Sequence, residues 1–218
     1  MRDRISVQEL IQETRHSVQQ DLKVLDWTKE PEENLRNIVR RYTAATAVNF
    51  TDWMGKTLPW ARHEFAKYAL TDNLRCETVE NHVDMLLDFS IYCQAFPDEE
   101  AHKATDFNVR RIRQLLRNPE TAGVVGLTIM ALLENTSQDF IPLLEKIGIT
   151  LGGHNVNLTY TQVHGVADIA HADQFSKALA LELTMGYGIE ANHDIREARL
   201  AVDKLLHSIF CLNHYAAR

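Results

Sequence analysis

The stretch from Tyr160 to His171 holds three side chains able to bind a metal, His164, Asp168 and His171, at offsets of zero, four and seven. At about 100° per residue these fall within a wedge of roughly 60° on one helix face, and they span about 10 Å of helix. One helix can therefore offer three ligands to a single ion or to two neighbouring ions. Asp168-x-x-His171 is also a carboxylate followed by His at i+3, the spacing with which carboxylate-rich metal bundles place ligands. The flanking Val163, Val166, Ile169 and Ala170 are apolar, which predicts a largely buried helix. Buried ionisable groups need partners, and a cation supplies them. The competing reading is a core His, a satisfied Asp and a surface His.

Two further segments carry side chains of the same chemistry. Glu134 ends a run that is almost wholly apolar from Gly123 to Leu133, and Leu127, Met130 and Ile141 share its helical face. A carboxylate in that company is either exposed at a helix end or satisfied from inside. Glu145 lies on the same face but about 16 Å further along a straight helix, too far to share a site with Glu134. The segment from Asn73 to His82 offers one His with several carboxylates nearby, and His82 opens a strongly periodic helix that turns its ring inward.

The elements that must position these groups are helical throughout. Apolar residues recur at three, four and seven from Val7 to Val18, and Pro31-Glu32-Glu33 suits the first turn of a second helix reaching about Ala47. Thr51-Asp52 is a candidate cap for a segment carrying Trp53, Trp60, Phe65 and Tyr68. Further helices are expected over 81–96, 106–118, 121–148, 157–185 and 194–214. Pro142 predicts a kink or break near Ser137 to Asp139, and Gly152-Gly153-His154-Asn155 reads as a loop. Strand alternation, internal repeats and low-complexity tracts are missing from the sequence. The expectation is an all-α bundle of about seven to nine helices, one domain over residues 1–218.

Composition narrows the function classes. The 218 residues carry 23 Lys plus Arg against 30 Asp plus Glu, a net charge of −7, and this argues against a nucleic-acid partner. No apolar run reaches the ~18 residues of a membrane span, and no signal core follows Met1, so a cytoplasmic protein is expected. Cys76, Cys93 and Cys211 form no C-x-x-C pair and no fully paired disulfide framework. Phosphate-loop, dinucleotide and zinc-finger patterns do not occur.

Taken together, Glu134 placed 30 residues before a His-x3-Asp-x2-His helix, with an acid-and-His segment upstream, resembles the haem-oxygenase-like di-iron oxidases and oxygenases. That group includes CADD-like proteins and is related by fold to thiaminase-II-like and pyrroloquinoline-quinone-synthase proteins. The resemblance covers roughly residues 60–185 and implies a haem-oxygenase-like helical bundle. Carried over residue by residue, it implies His82, Glu134, His164, Asp168 and His171 as metal ligands. The sixth ligand is Glu77 or Asp72: Glu77 is preferred, yet it lies only five residues before His82, which on a continuous helix sets the two on nearly opposite sides. The resemblance further implies two iron ions, or iron with manganese, with O₂ as co-substrate and a small organic molecule as substrate. Imidazole and carboxylate donors without thiolate agree with that metal choice. Tyr160, four residues before His164, is the candidate catalytic side chain, either donating a hydrogen bond near the metals or being oxidised itself. Folds of this kind commonly pair as homodimers.

Two other readings stand beside this one. The first is a CADD-like interaction protein whose metal site is structural or vestigial. The second is a metal-free hydrolase of the thiaminase-II type, with a Cys nucleophile. Arg110, Arg111, Arg113 and Arg117 read as a solvated face, and Glu99-x-x-His102 as a charged turn. His154, His207 and His214 have no evident partners in sequence.

Overall fold

A computed structural model describes residues 6–153 and 156–211. Nine α-helices occur among the described residues: α1 (Val7–Val24), α2 (Glu32–Thr46), α3 (Asn49–Thr57), α4 (Glu64–Val79), α5 (His82–Tyr92), α6 (Glu99–Leu115), α7 (Ala122–Gly152), α8 (Thr159–Glu182) and α9 (Ile189–Phe210). No strand occurs among the described residues, so the all-α expectation holds. His154 and His214 lie outside the described residues.

Local chemistry sets several of the starts. Ser6 accepts from the Glu9 N–H at 3.3 Å and Asp98 from the Ala101 N–H at 2.8 Å, each satisfying one donor that an α-helix leaves open at its first turn. The Asp98 cap explains why α6 begins at Glu99, earlier than the 106–118 segment expected from the periodicity. Thr51 and Asp52 do not cap a helix; they lie inside α3. Likewise α5 stops at Tyr92, and α9 starts at Ile189.

The centre of the bundle is α7, whose residues are buried almost without interruption from Ala122 to Glu134. It packs along α8 and also against α9, α1 and α3. Two glycines permit the approach of α3 and the 3-10 turn that follows it. A Cβ on Gly123 would meet the Trp60 carbonyl oxygen at 2.2 Å, and one on Gly126 would meet the Thr57 hydroxyl at 1.8 Å. The break expected near Ser137 to Asp139 does not form. Pro142 is exposed, so the Gln138 carbonyl that loses its partner lies on the outward side, where water can satisfy it, and α7 runs on to Gly152.

Polar ties fix α8 against its neighbours. Asn135, beside Glu134 on α7, donates to the Ser176 hydroxyl at 3.0 Å. Asn73 on α4 donates to the Gln174 side chain at 2.6 Å. Glu182, fully buried at the end of α8, accepts from the backbone N–H groups of Arg62 at 2.7 Å and His63 at 2.8 Å, and Tyr187 donates its hydroxyl to the same carboxylate. The start of α4 is thereby held to the end of α8, and the two helices converge where Glu77 and His164 meet.

One expectation about α8 is overturned. Val166 is 75% and Ile169 60% exposed, so this helix is not buried all round. At about 100° per residue they stand roughly 200° and 140° away from His164, on the outward side. Only the wedge that carries the polar residues faces the core.

Candidate metal centre

All six ligand candidates come together inside the bundle. Glu77, His82 and His164 bring their donor atoms within 4.8 Å of one another, and Glu134, Asp168 and His171 form a second such group. Glu77, His82, Glu134, His164 and Asp168 are buried, and the side chain of His171 is 13% exposed. The two groups meet on α8, where His164 Nδ1 lies 2.8 Å from an Asp168 oxygen. The rings of His82 and His164 stand edge to face with centroids 4.7 Å apart. Helix α8 thus divides its three ligand candidates between the two groups: His164 lies in one, and Asp168 with His171 in the other.

The relation of Glu77 to His82 is resolved by a break that neither Gly nor Pro announces. Helix α4 ends at Val79, Asn81 adopts a left-handed backbone (φ 59°, ψ 45°), and α5 starts at His82. Asn tolerates this region better than other non-glycine residues because its short polar side chain bonds locally. Asn81 does so by donating to the Asp84 carboxylate. The reversal returns His82 to within 3.1 Å of Glu77, from its Nδ1 to the Glu77 oxygen. Asp72 lies elsewhere, bonded by Gln174 at 3.4 Å and Arg75 at 3.5 Å. Glu80, more than half exposed, reaches the other ring nitrogen of His82 at 3.2 Å.

The electrostatics of the metal-free cluster are strained. Burial raises the Glu134 carboxyl well above its ordinary range, and the neighbouring charges of Asp168 and Glu77 add to the rise. Burial lowers the His171 pKa, against the opposing charges of Asp168 and Glu77. For His82 burial also lowers the pKa, but the hydrogen bonds and charges of Glu77 and Glu80 outweigh it and leave a net rise. His164 Nε2 and His171 Nδ1 are buried without a hydrogen-bond partner, and His171 Nδ1 stands 3.7 Å from Glu134, beyond bonding distance. Unsatisfied buried nitrogens cost about 1–3 kcal/mol each. Three carboxylates and three imidazoles, two of them with an idle nitrogen, fit a cationic occupant.

A cavity of about 60 Å³ adjoins the cluster, room for a few waters at about 10–15 Å³ each by the same measure. Phe50, Val83, Leu86, Leu133, Phe140 and Leu205 give it an apolar wall, and among the described residues no Lys, Arg or Cys lines it. Tyr160 also lines it, with its ring 4.4 Å from that of His164. Its hydroxyl lies 2.7 Å from that of Tyr42, and burial raises both phenols above their ordinary values. Sequence reasoning missed Tyr42. It lies on α2 among ordinary helical neighbours, 118 residues from its partner, and no local spacing could have exposed the pair.

The remaining residues weighed from sequence lie apart from this cluster. Arg110 pairs with Asp106, Arg111 with Glu197, and Arg113 bonds Asn49, so these arginines decorate the α6 face with local partners. Cys93 is fully buried, and burial pushes its thiol up to about 12. No protein-family model matches this chain, and no curated protein matches it.

Proposed function

We propose that the protein is a non-haem di-iron, or iron–manganese, oxidase or oxygenase of the haem-oxygenase-like kind, acting on a small organic substrate. The observation that carries this reading is the division of six buried N and O donors into two groups of three, joined by the His164–Asp168 contact. Glu77, His82 and His164 would hold one ion, and Glu134, Asp168 and His171 the other. Such a pair supplies the electrons and open coordination positions needed to bind and reduce O₂.

The chain's own residues account for the rest. The apolar wall excludes bulk water from the metal face, which strengthens every charge interaction inside. Among the described residues it presents no Lys or Arg, so it offers no cation to pair with an anionic substrate group. The Tyr42–Tyr160 pair keeps a proton at the phenol oxygen of Tyr160, beside His164 and inside the cavity. With His82 bound to an ion through Nδ1, on the side of Glu77, Glu80 would accept the Nε2 proton. A carboxylate behind a metal-bound imidazole fixes its tautomer and raises its basicity. The hydrolase alternative would need a thiol at the cavity, and among the described residues no Cys lines it.

The test is anaerobic ferrous titration of the metal-free protein, followed by mixing with O₂ in a stopped-flow spectrometer. Uptake of about two irons per chain and a transient visible band are expected. His164→Ala and Asp168→Ala should lose most of the iron while keeping wild-type helix content. Full iron retention in both variants, or no uptake by the wild type, would sink the assignment.

A further inference from the structure

A second set of metal-binding side chains converges where α1 meets the end of α9. The donor atoms of Asp21, His207 and Cys211 lie within 4.8 Å of one another. Asp21 stands in the last turn of α1. His207 lies in the last turn of α9, and Cys211 caps that helix four residues on, which sets both on one side of it. His207 Nδ1 lies 3.0 Å from each Asp21 oxygen, and the Cys211 thiol donates to the same carboxylate at 3.5 Å. All three residues are partly exposed.

Imidazole nitrogen, carboxylate oxygen and thiolate sulfur are together the donor set of zinc-class divalent ions, and this mixture differs from the N/O set of the core cluster. The charges also balance. One carboxylate and one thiolate neutralise a dication, and the negative end of α9 adds a favourable field. Arg41 is a fixed cation beside the site, where its guanidinium bonds the carbonyls of Ser208 at 3.3 Å and Cys211 at 3.5 Å. A neutral ion-and-ligand set can sit beside it without net repulsion.

We propose that Asp21, His207 and Cys211 form a surface site for one zinc-class divalent cation, clamping α1 to the end of α9, with water completing the coordination. Binding breaks the S–H bond of Cys211 and releases that proton to solvent. The sulfur keeps its electron pair and donates it to the ion, and the imidazole carries its own proton on Nε2. No oxidant or reductant takes part. The site is independent of the core reading, because the core cluster contains no thiol.

Cobalt(II) is the probe, since only a thiolate ligand gives a sulfur-to-metal charge-transfer band in the near ultraviolet. Titration of the intact reduced protein should raise that band to saturation at one equivalent, and Zn²⁺ should bleach it. Cys211→Ser should abolish the band, His207→Ala should weaken the apparent affinity at least tenfold, and His164→Ala should leave it unchanged. Circular dichroism of each variant checks that it is folded. No band in the wild type, or a band that survives in Cys211→Ser, would overturn the proposal. So would an unchanged affinity in His207→Ala. Loss of the band in His164→Ala would overturn the claim that the two sites are separate, while failure of core iron binding leaves this test unaffected.

Discussion

An oxygen of Glu77 lies 3.1 Å from Nδ1 of His82, although five residues of unbroken α-helix would set the two side chains on nearly opposite faces. The left-handed Asn81 makes the contact, and its substitution is the most direct test of how the site is assembled. Asn81→Gly should keep stability and metal uptake near wild type. Asn81→Val should cost about 1–2 kcal/mol, the penalty of a side chain in left-handed backbone, and should weaken ferrous binding with it. Urea denaturation and iron titration of the two variants give the answer. Equal behaviour of Gly and Val would show that the reversal is not needed.

Glu80 is exposed, yet it holds the second ring nitrogen of His82. Loss of a carboxylate behind a ligating His typically costs 10–100-fold in metal affinity. Glu80→Ala should show such a loss for one of the two ions, whereas Glu80→Gln, which still accepts the Nε2 proton, should recover most of it. Competition with a chelator of known affinity measures both. Equal affinities for wild type and Glu80→Ala would assign Glu80 to the solvent face.

Glu134 links stability to pH in the metal-free protein. Its carboxyl is raised in the folded state by burial and by Asp168 and Glu77, so the folded chain holds a proton that the unfolded chain releases above about pH 4.5. Its contribution is therefore intact below that value and is lost as pH rises toward the folded pKa. Glu134→Gln has no such proton to lose. The metal-free variant should gain on metal-free wild type as pH rises from 4.5 to 8, by thermal denaturation across that range. With iron present the order should reverse, because the wild type keeps a ligand. A stability difference independent of pH would contradict this account.

Gly123 tests the packing of α7 rather than the site. A methyl there would press on the backbone carbonyl of Trp60, which cannot swing aside as a side-chain tip can. Gly123→Ala should destabilise the protein by about 1–3 kcal/mol, the usual range for overpacking a filled core. Helix content should stay near wild type. An unchanged urea midpoint would show that the 3-10 turn adjusts freely.

Which residues share a helix face was legible from spacing alone, because 3.6 residues per turn is a local property of the chain. That placed His164, Asp168 and His171 in one wedge and marked Glu134 as a carboxylate in apolar company. It also predicts an all-α fold, which the structure shows among the described residues. The same rule sets Val166 and Ile169 outward, against the burial that their apolar character alone suggests.

Tertiary structure decided everything that depends on two distant segments sharing one space. Asn81 carries no strong breaker signal, so the turn that brings Glu77 to His82 and leaves Asp72 aside follows from where α4 and α5 must pack. The division of ligands into two groups, the Tyr42–Tyr160 contact and the Glu182 clamp on α4 likewise join residues far apart in the chain. Their energies arise from desolvation and charge in a shared interior, and a linear pattern does not say which helix will supply the opposite wall.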